Sequence, residues 1–246
     1  MGPDNQQDAL DSDARTPGGA PLADAMNAGK SYDRFVANLQ LLNDVLAQTA
    51  LAERYWLWGG VLLGWAREGR LLGHDAADAD FGILAADESV WLAATPALAA
   101  AGFRPYLTWT NSKGVITEYV LKKDQAHFDF FLLFPEGAKA RYWLYAPLRG
   151  KAAYVELEGV VVVNAFSTMR FLERSWRKPA DHDAHLTEVY GDWRTPNPHH
   201  NYVVDERSIV SRRLWVGKGV PIRSMPDGQS DFGVVRQSPQ VSEELP

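Results

Sequence analysis

The spacing of hydrophobic positions changes along the chain, and these changes predict helices and strands in turn. Over residues 32–50, large apolar residues step by four, three and four, which lines one face of a helix: Phe35, Leu39, Leu42 and Leu46. Residues 55–58 are aromatic and predict a short strand. Gly59-Gly60 then separates this strand from an apolar, Ala-containing segment over residues 61–68. The order predicted here is strand, glycine turn and helix.

The middle of the chain is richer in strand signals. Residues 78–84 alternate between polar and apolar and predict a strand, and residues 89–101 predict a helix that ends at Gly102. Ser167 is a suitable N-cap for a further helix that reaches about Trp176. Aromatic and β-branched residues dominate six other segments, which predict strands: 103–110, 115–122, 127–134, 141–145, 153–157 and 160–164. The fold class predicted from this order is α+β, a mixed β-sheet flanked by helices.

Both ends of the chain differ from its centre in composition. Residues 1–29 contain few large apolar side chains, so burial cannot offset the entropy lost on ordering, and a disordered arm is expected. Residues 218–246 are rich in Gly, Pro, Ser and charge, which predicts a flexible tail. We therefore expect one catalytic domain over residues 30–217.

Composition excludes several classes of function. The formal net charge is −6 and no run of Lys and Arg forms a basic stripe, so nucleic acid is not an expected partner. The chain has no cysteine, which leaves oxygen and imidazole as the ligands for any metal. The sequence contains no run of 18 apolar residues, so no transmembrane segment is predicted. The N-terminus lacks the apolar core of a signal peptide. A soluble, cytoplasmic protein is the expectation.

Asp78 and Asp80 give the strongest local signal of chemistry. Side chains alternate across a strand, so the two carboxylates share one face while Ala79, Phe81 and Ile83 share the other. Two carboxylates this close repel each other unless a cation neutralises them, and oxygen ligands suit Mg²⁺ or Mn²⁺. A solvated strand edge explains an isolated Asp-x-Asp equally well.

Asp129 adds weight to the metal interpretation. It is the one carboxylate in the apolar segment His127-Phe-Asp-Phe-Phe-Leu-Leu-Phe134, and an unpaired buried carboxylate is costly. It should bind a metal, pair with a base such as Arg67, Lys122 or Lys123, or lie on an open face of the sheet. A metal shared with Asp78 and Asp80 accounts for its position.

The glycine turn adds a third element. Gly59 and Gly60 stand before a predicted helix, where backbone N–H groups at the helix N-terminus can approach a phosphate. A plain tight turn explains a lone Gly pair as well. The order of glycine turn, paired Asp and a later Asp on another strand favours a phosphoryl-transfer site.

Residues 56–84, Trp-Leu-Trp-Gly-Gly through Asp-Phe-Gly-Ile-Leu, resemble the LicD/fukutin family. The likeness includes the glycine turn, Arg67, the Asp-x-Asp with Gly82, the strand that carries Asp129, and a C-terminal segment over residues 190–196. It extends over roughly residues 35–200. The chain looks closer to fukutin than to the choline-phosphate branch, because Ala76 stands where many relatives have the first Asp of an Asp-x-Asp-x-Asp pattern. Asp75 is displaced by one residue and is not counted as a ligand.

This resemblance implies a nucleotidyltransferase-like fold and a metal-dependent phosphotransferase. Asp78 and Asp80 would hold Mg²⁺ (or Mn²⁺) against the phosphates of the donor, and Asp129 would complete the metal site or accept the proton of the acceptor hydroxyl. Gly59, Gly60, Arg67 and Lys122 would contact the donor. Most tryptophans are expected in the core. A second metal site among His182, His185, His199 and His200 is weakly supported, because their spacing matches no zinc motif.

Three functions are compatible with these residues, and the first of them is implied by the family resemblance. The leading hypothesis moves ribitol phosphate, glycerol phosphate or phosphocholine from a CDP-linked donor to a hydroxyl of a glycan or small molecule, with CMP as the leaving group. The second transfers the nucleotide of a nucleoside triphosphate to a small molecule and releases pyrophosphate. The third is a domain without catalytic activity that binds a nucleotide or a partner, and Ala76 keeps it open.

Overall fold

A computed structural model describes residues 22–73, 77–148, 153–215, 220–221 and 241–244. Its helices are α1 (Leu22–Leu46), α2 (Gly59–Glu68), α3 (Glu88–Ala100), α4 (His182–Tyr190) and α5 (Tyr202–Asp205). Its strands are β1 (Tyr55–Leu57), β2 (Asp78–Leu84), β3 (Arg104–Thr110), β4 (Ile116–Lys123), β5 (Ala126–Glu136), β6 (Lys139–Pro147), β7 (Tyr154–Val162), β8 (Phe166–Phe171), β9 (Arg174–Pro179), β10 (Ile209–Trp215), β11 (Val220–Pro221) and β12 (Val241–Glu244). The predicted α+β class is confirmed. Among these helices, none is long and apolar enough to cross a membrane.

The main sheet is mixed, and β5 is its central strand. The strands follow the order β11-β3-β4-β5-β6-β7-β10-β12, with antiparallel neighbours throughout this path. Strand β2 joins the sheet by parallel pairing with β5, and β1 pairs antiparallel with β2. The long β5 pairs with β2 and β4 in its first part and turns to β6 at residues 134–136. Its first part therefore lies between β2 and β4.

One face of this part of the sheet forms the larger hydrophobic core. Phe81 of β2 and Phe130 of β5 stack with ring centroids 4.8 Å apart, and Trp91 of α3 stacks on Phe130 at 4.0 Å. Phe35 of α1 lies against Phe128 at 5.8 Å. Because side chains alternate, burying Phe81 and Phe130 on this face sends their acidic neighbours in β2 and β5 to the other.

The structure corrects one predicted element. Residues 166–179 form the antiparallel hairpin β8–β9 and not the helix expected after Ser167. Met169 and Phe171 are buried at a spacing of two, which is the period of a strand. Leu172 and Glu173 connect the strands with positive φ values of 46° and 60°, the geometry of a type I′ turn. Ser167 forms a hydrogen bond with Lys178 on the facing strand and caps no helix.

Other boundaries shift by small amounts, with four exceptions. Helix α1 begins at Leu22, inside the segment predicted as an arm, and the first 21 residues lie outside the described part. Residues 153–157 and 160–164 belong to one strand, β7. Helix α4, which is capped by Asp181, was not predicted, and neither were α5 and β10. The predicted tail lies outside the described residues except for β11 and β12, which pair with β3 and β10.

Candidate active site

Three carboxylates meet on the face of the sheet opposite the larger core. In the register of β2 and β5, Asp80 pairs with Asp129 and Asp78 with His127, so Asp80 and Asp129 lie side by side. One oxygen of each of Asp78, Asp80 and Asp129 lies within 4.8 Å of the others. Ala79 and Phe81 are buried on the other face, as the alternation predicts. The predicted shared face of Asp78 and Asp80 is confirmed, and Asp129 lies on that face as well.

The glycine turn lies directly against this group. Trp58 N–H donates to the backbone oxygen of Asp80 at 3.0 Å, which extends the β1–β2 pairing up to the first residue of α2. Gly60 N–H then points at Oδ2 of Asp80 at 3.4 Å. A Cβ on Gly59, where φ is +51°, would lie 2.1 Å from the same oxygen. Only glycine lets the N-terminus of α2 approach Asp80 this closely.

The electrostatics of the site favour a cation. Oδ1 of Asp129 is buried and, among the described residues, has no hydrogen-bond partner. Burial raises the pKa of Asp129 well above its usual range, and the charges of Glu118, Asp78 and Asp80 raise it further. An orphaned carboxylate oxygen among like charges is the environment that a divalent cation stabilises. Asp78, Asp80 and Asp129 thus fit a Mg²⁺ or Mn²⁺ ion in number and in ligand chemistry.

The carboxylates open into a cavity of about 490 Å³. One wall comes from the glycine turn and the sheet, and the other from β6, α4 and the segment around α5. Its acidic lining residues include Glu118 and Glu206 besides the three aspartates, and no described lining residue is Lys or Arg. Aromatic rings cover much of the remaining surface: Trp58, Tyr106, Trp109, Phe131, Tyr142, Tyr145, Tyr190 and Tyr202.

The wall around α5 carries a buried polar cluster. Tyr142 donates a hydrogen bond to Glu206 at 3.2 Å and shares one with Ser208 at 2.7 Å. Burial raises the pKa of Glu206 to about 7, although the Tyr142 bond works against this rise. Burial also lowers the pKa of His185 to about 4, so its imidazole is neutral at pH 7. The ring of Trp58 packs edge-on against Tyr142 at 5.3 Å and so links this cluster to the glycine turn.

Two basic residues predicted to contact the donor lie away from the cavity lining. Arg67 bonds to Glu68 at 3.1 Å, and its Nε has no partner among the described residues. Lys122 lies over the ring of Tyr106 at 3.4 Å, and Tyr106 in turn lines the cavity. Neither forms an ion pair with Asp129 in the described part of the chain, so the alternative of a base-paired Asp129 is not seen there. Their contacts with a donor stay predictions.

Residues 52–149 match the family model described as the LicD/FKTN/FKRP nucleotidyltransferase domain. The chain carries a LicD-family domain. Its matched region runs from the turn before β1 to the end of β6, and it contains the glycine turn and all three aspartates. No curated protein matches the chain.

The LicD domain match leaves several finer resemblances as predictions. The closer likeness to fukutin rests on Asp75 and Ala76, which lie outside the described residues. The segment over residues 190–196 lies beyond the matched region, although its Tyr190 lines the cavity and its Trp193 is buried. In the described residues the aspartate triad is the one group with metal-binding geometry, so the histidines of residues 182–200 form no second such cluster there.

Sequence reasoning missed Glu118 and Glu206. Glu118 stands alone among the apolar residues of β4, the same signal that singled out Asp129, so it was available from the sequence. Glu206 follows a four-residue helix in a polar segment and carries no comparable signal. Its position in the cavity depends on the long-range packing of residues 189–206 against β6 and β7.

Proposed function

We propose that the protein is a metal-dependent phosphotransferase that moves a phospho-alcohol from a CDP-linked donor to a hydroxyl acceptor. The phospho-alcohol is ribitol phosphate, glycerol phosphate or phosphocholine, and the acceptor is a glycan or a small molecule. The observation that carries this proposal is the meeting of Asp78, Asp80 and Asp129 at the N-terminus of α2. Membership in the LicD family supports a transferase that acts on phospho-alcohol groups.

We assign the residues of the site to two roles, binding of the donor and transfer of a proton. Asp78, Asp80 and Asp129 would hold a divalent cation, which would neutralise charge on the phosphate oxygens. The N–H group of Gly60 is directed at Asp80, and the other N–H groups at the start of α2 would hold a phosphate beside it, where the helix dipole also favours negative charge. Asp129 either completes the cation site or accepts the proton of the attacking hydroxyl. Aromatic rings line much of the cavity and would limit the access of water to a bound donor, and so its hydrolysis.

The nucleotide product separates this reaction from its closest alternative. Wild-type protein is incubated with Mg²⁺, with CDP-ribitol, CDP-glycerol, CDP-choline or CTP, and with a panel of sugars and polyols whose hydroxyl groups accept the transferred group. The products are resolved by anion-exchange chromatography. Mg²⁺-dependent release of CMP from one CDP-alcohol is expected, and Asp80→Asn should remove it. Pyrophosphate release from CTP would replace the proposal with nucleotidyl transfer, and the absence of any product would favour a binding domain.

A further inference from the structure

Glu118 is a buried carboxylate that the three-aspartate site does not use. It lies on β4 two residues from Val120, which pairs with Asp129, so Glu118 faces the same cavity. Glu118 is only 5% exposed. No residue in the described part of the chain forms a hydrogen bond or an ion pair with its side chain. The cluster of carboxylates spaced for a metal does not include it.

Aromatic residues flank Glu118 on both neighbouring strands. Glu118 pairs with Trp109 across β3 and β4 and with Phe131 across β4 and β5. The Trp109 ring stacks on Tyr145 with centroids 4.7 Å apart and an interplanar angle of 9°. The hydroxyl of Tyr202 donates to the backbone oxygen of Tyr145 at 3.3 Å, which brings a further ring to this wall. An acid among aromatic faces attracts a cation through both its charge and the ring quadrupoles.

The charges of the described lining residues also favour a ligand with a positively charged group. A divalent cation offsets two of the three aspartate charges, and the phosphates of a donor add further negative charge. No described lining residue is Lys or Arg, so the protein supplies no compensating charge at Glu118. Burial and the charges of Asp80 and Asp78 raise the pKa of Glu118, and a ligand cation beside this carboxyl group would stabilise its charged form.

We propose that Glu118 and the adjoining rings of Trp109, Tyr145 and Tyr202 bind a protonated amine of the substrate. The carboxylate of Glu118 accepts hydrogen bonds, and a protonated amine can donate them through its N–H groups. A quaternary ammonium has no N–H group and cannot do so. The amine belongs either to the alcohol of the donor or to the acceptor, since both must reach the same cavity. The identity of the donor rests on the proposed function, but the amine subsite is measurable independently of turnover.

Calorimetric titrations with Mg²⁺ test the proposal in two arms. The donor arm compares CDP-ethanolamine with CDP-choline and CDP-glycerol, and the acceptor arm compares glucosamine with glucose. In one arm the ligand with N–H groups on a cation should bind roughly tenfold more tightly than its counterparts. Glu118→Gln should abolish this preference. Glu156→Gln is the matched control, because Glu156 is buried in β7 against Ser112 and does not line the cavity, so the preference should remain.

Several outcomes would overturn the proposal. Equal affinities for the amine ligands and their counterparts in both arms of the wild-type titrations would do so, whether or not Glu118→Gln folds. So would a preference that survives in a folded Glu118→Gln variant, or an equal loss of affinity for every ligand and for Mg²⁺, which would assign Glu118 to the metal site. If no CDP compound binds but glucosamine binds in a Glu118-dependent manner, the amine subsite stands and the proposed donor is wrong.

Discussion

Gly59 and Asp80 are in direct contact, with the backbone of one residue occupying the space beside the carboxylate of the other. A methyl group at Gly59 would overlap Oδ2 of Asp80, and the positive φ of Gly59 disfavours any L side chain there. The contact joins the N-terminus of α2 to the aspartates. It explains why a glycine turn and an Asp-x-Asp segment separated by 20 residues act as one site.

Gly59→Ala should therefore damage the site more than the fold. We expect a loss of stability of about 1–3 kcal/mol from the strained backbone and the displaced Asp80 side chain. Mg²⁺-dependent activity should fall by more than about tenfold, because phosphate and cation would no longer share one position. Chemical denaturation and the CMP-release assay measure the two effects. Gly69→Ala is a control with positive φ and open space around it, and wild-type activity is expected from that folded variant.

Asp129→Asn separates function from stability. The substitution removes a carboxylate that lies among like charges, so the melting temperature in EDTA should equal or exceed that of the wild type. Turnover should fall by more than about a hundredfold. Differential scanning calorimetry with and without Mg²⁺ then distinguishes the two roles of Asp129. Loss of Mg²⁺ stabilisation indicates a ligand, and retained stabilisation with lost turnover indicates a base. Wild-type turnover would exclude both roles.

Glu206 gives the fold a pH dependence of known sign. Its folded pKa of about 7 lies above the ordinary value of 4.5, so the folded protein binds more protons than the unfolded chain between these values. The free energy of unfolding should fall as pH rises from about 4.5 to about 7 and then level off. Glu206→Gln should remove this pH dependence. The free energy of unfolding of the variant, relative to that of the wild type, should therefore be up to about 3 kcal/mol higher at pH 8 than at pH 5. Urea titrations of both proteins at the two pH values measure this difference, and a pH-independent difference would contradict it.

The β8–β9 turn offers a test of the corrected hairpin. Glu173 is exposed and has a φ of 60°, which glycine adopts without strain and a β-branched residue does not. Glu173→Gly should stabilise the protein by about 0.5–1 kcal/mol, and Glu173→Val should destabilise it by a similar or larger amount. Guanidinium denaturation midpoints give both values. The opposite order of stability would restore a helix over these residues.

The sequence predicted the elements whose pattern is local. The strand that carries Asp78 and Asp80 was predicted with its observed boundaries, because polar and apolar residues alternate over Asp78–Phe81. The hairpin over residues 166–179 was mistaken for a helix because Ser167 satisfies the local rule for an N-cap, while the positive φ values at Leu172 and Glu173 belong to residues that seldom adopt them. The local N-cap pattern favours a helix there, but pairing between β8 and β9 stabilises the hairpin.

In the candidate site, too, local sequence patterns were predictive and long-range packing was not. Asp129 was expected beside Asp78 and Asp80 because a lone carboxylate in an apolar strand needs a partner or an open face. The wall formed by Tyr190, Tyr202 and Glu206 could not be predicted, since it depends on how segments more than a hundred residues from β2 pack against β6 and β7. That wall lies outside residues 52–149, which match the LicD domain.

Calorimetric titration of CDP-ribitol, CDP-glycerol and CDP-choline into the protein, with Mg²⁺ and with EDTA, tests the central claim most directly. Asp80→Asn is the test variant, and Asp33→Asn, an exposed position on α1, is the control. The account predicts that one CDP-alcohol binds only with Mg²⁺, that Asp80→Asn loses this binding, and that Asp33→Asn keeps it. Binding that is equal in Mg²⁺ and EDTA, or unchanged in Asp80→Asn, would contradict a metal-dependent phosphotransferase site at these aspartates.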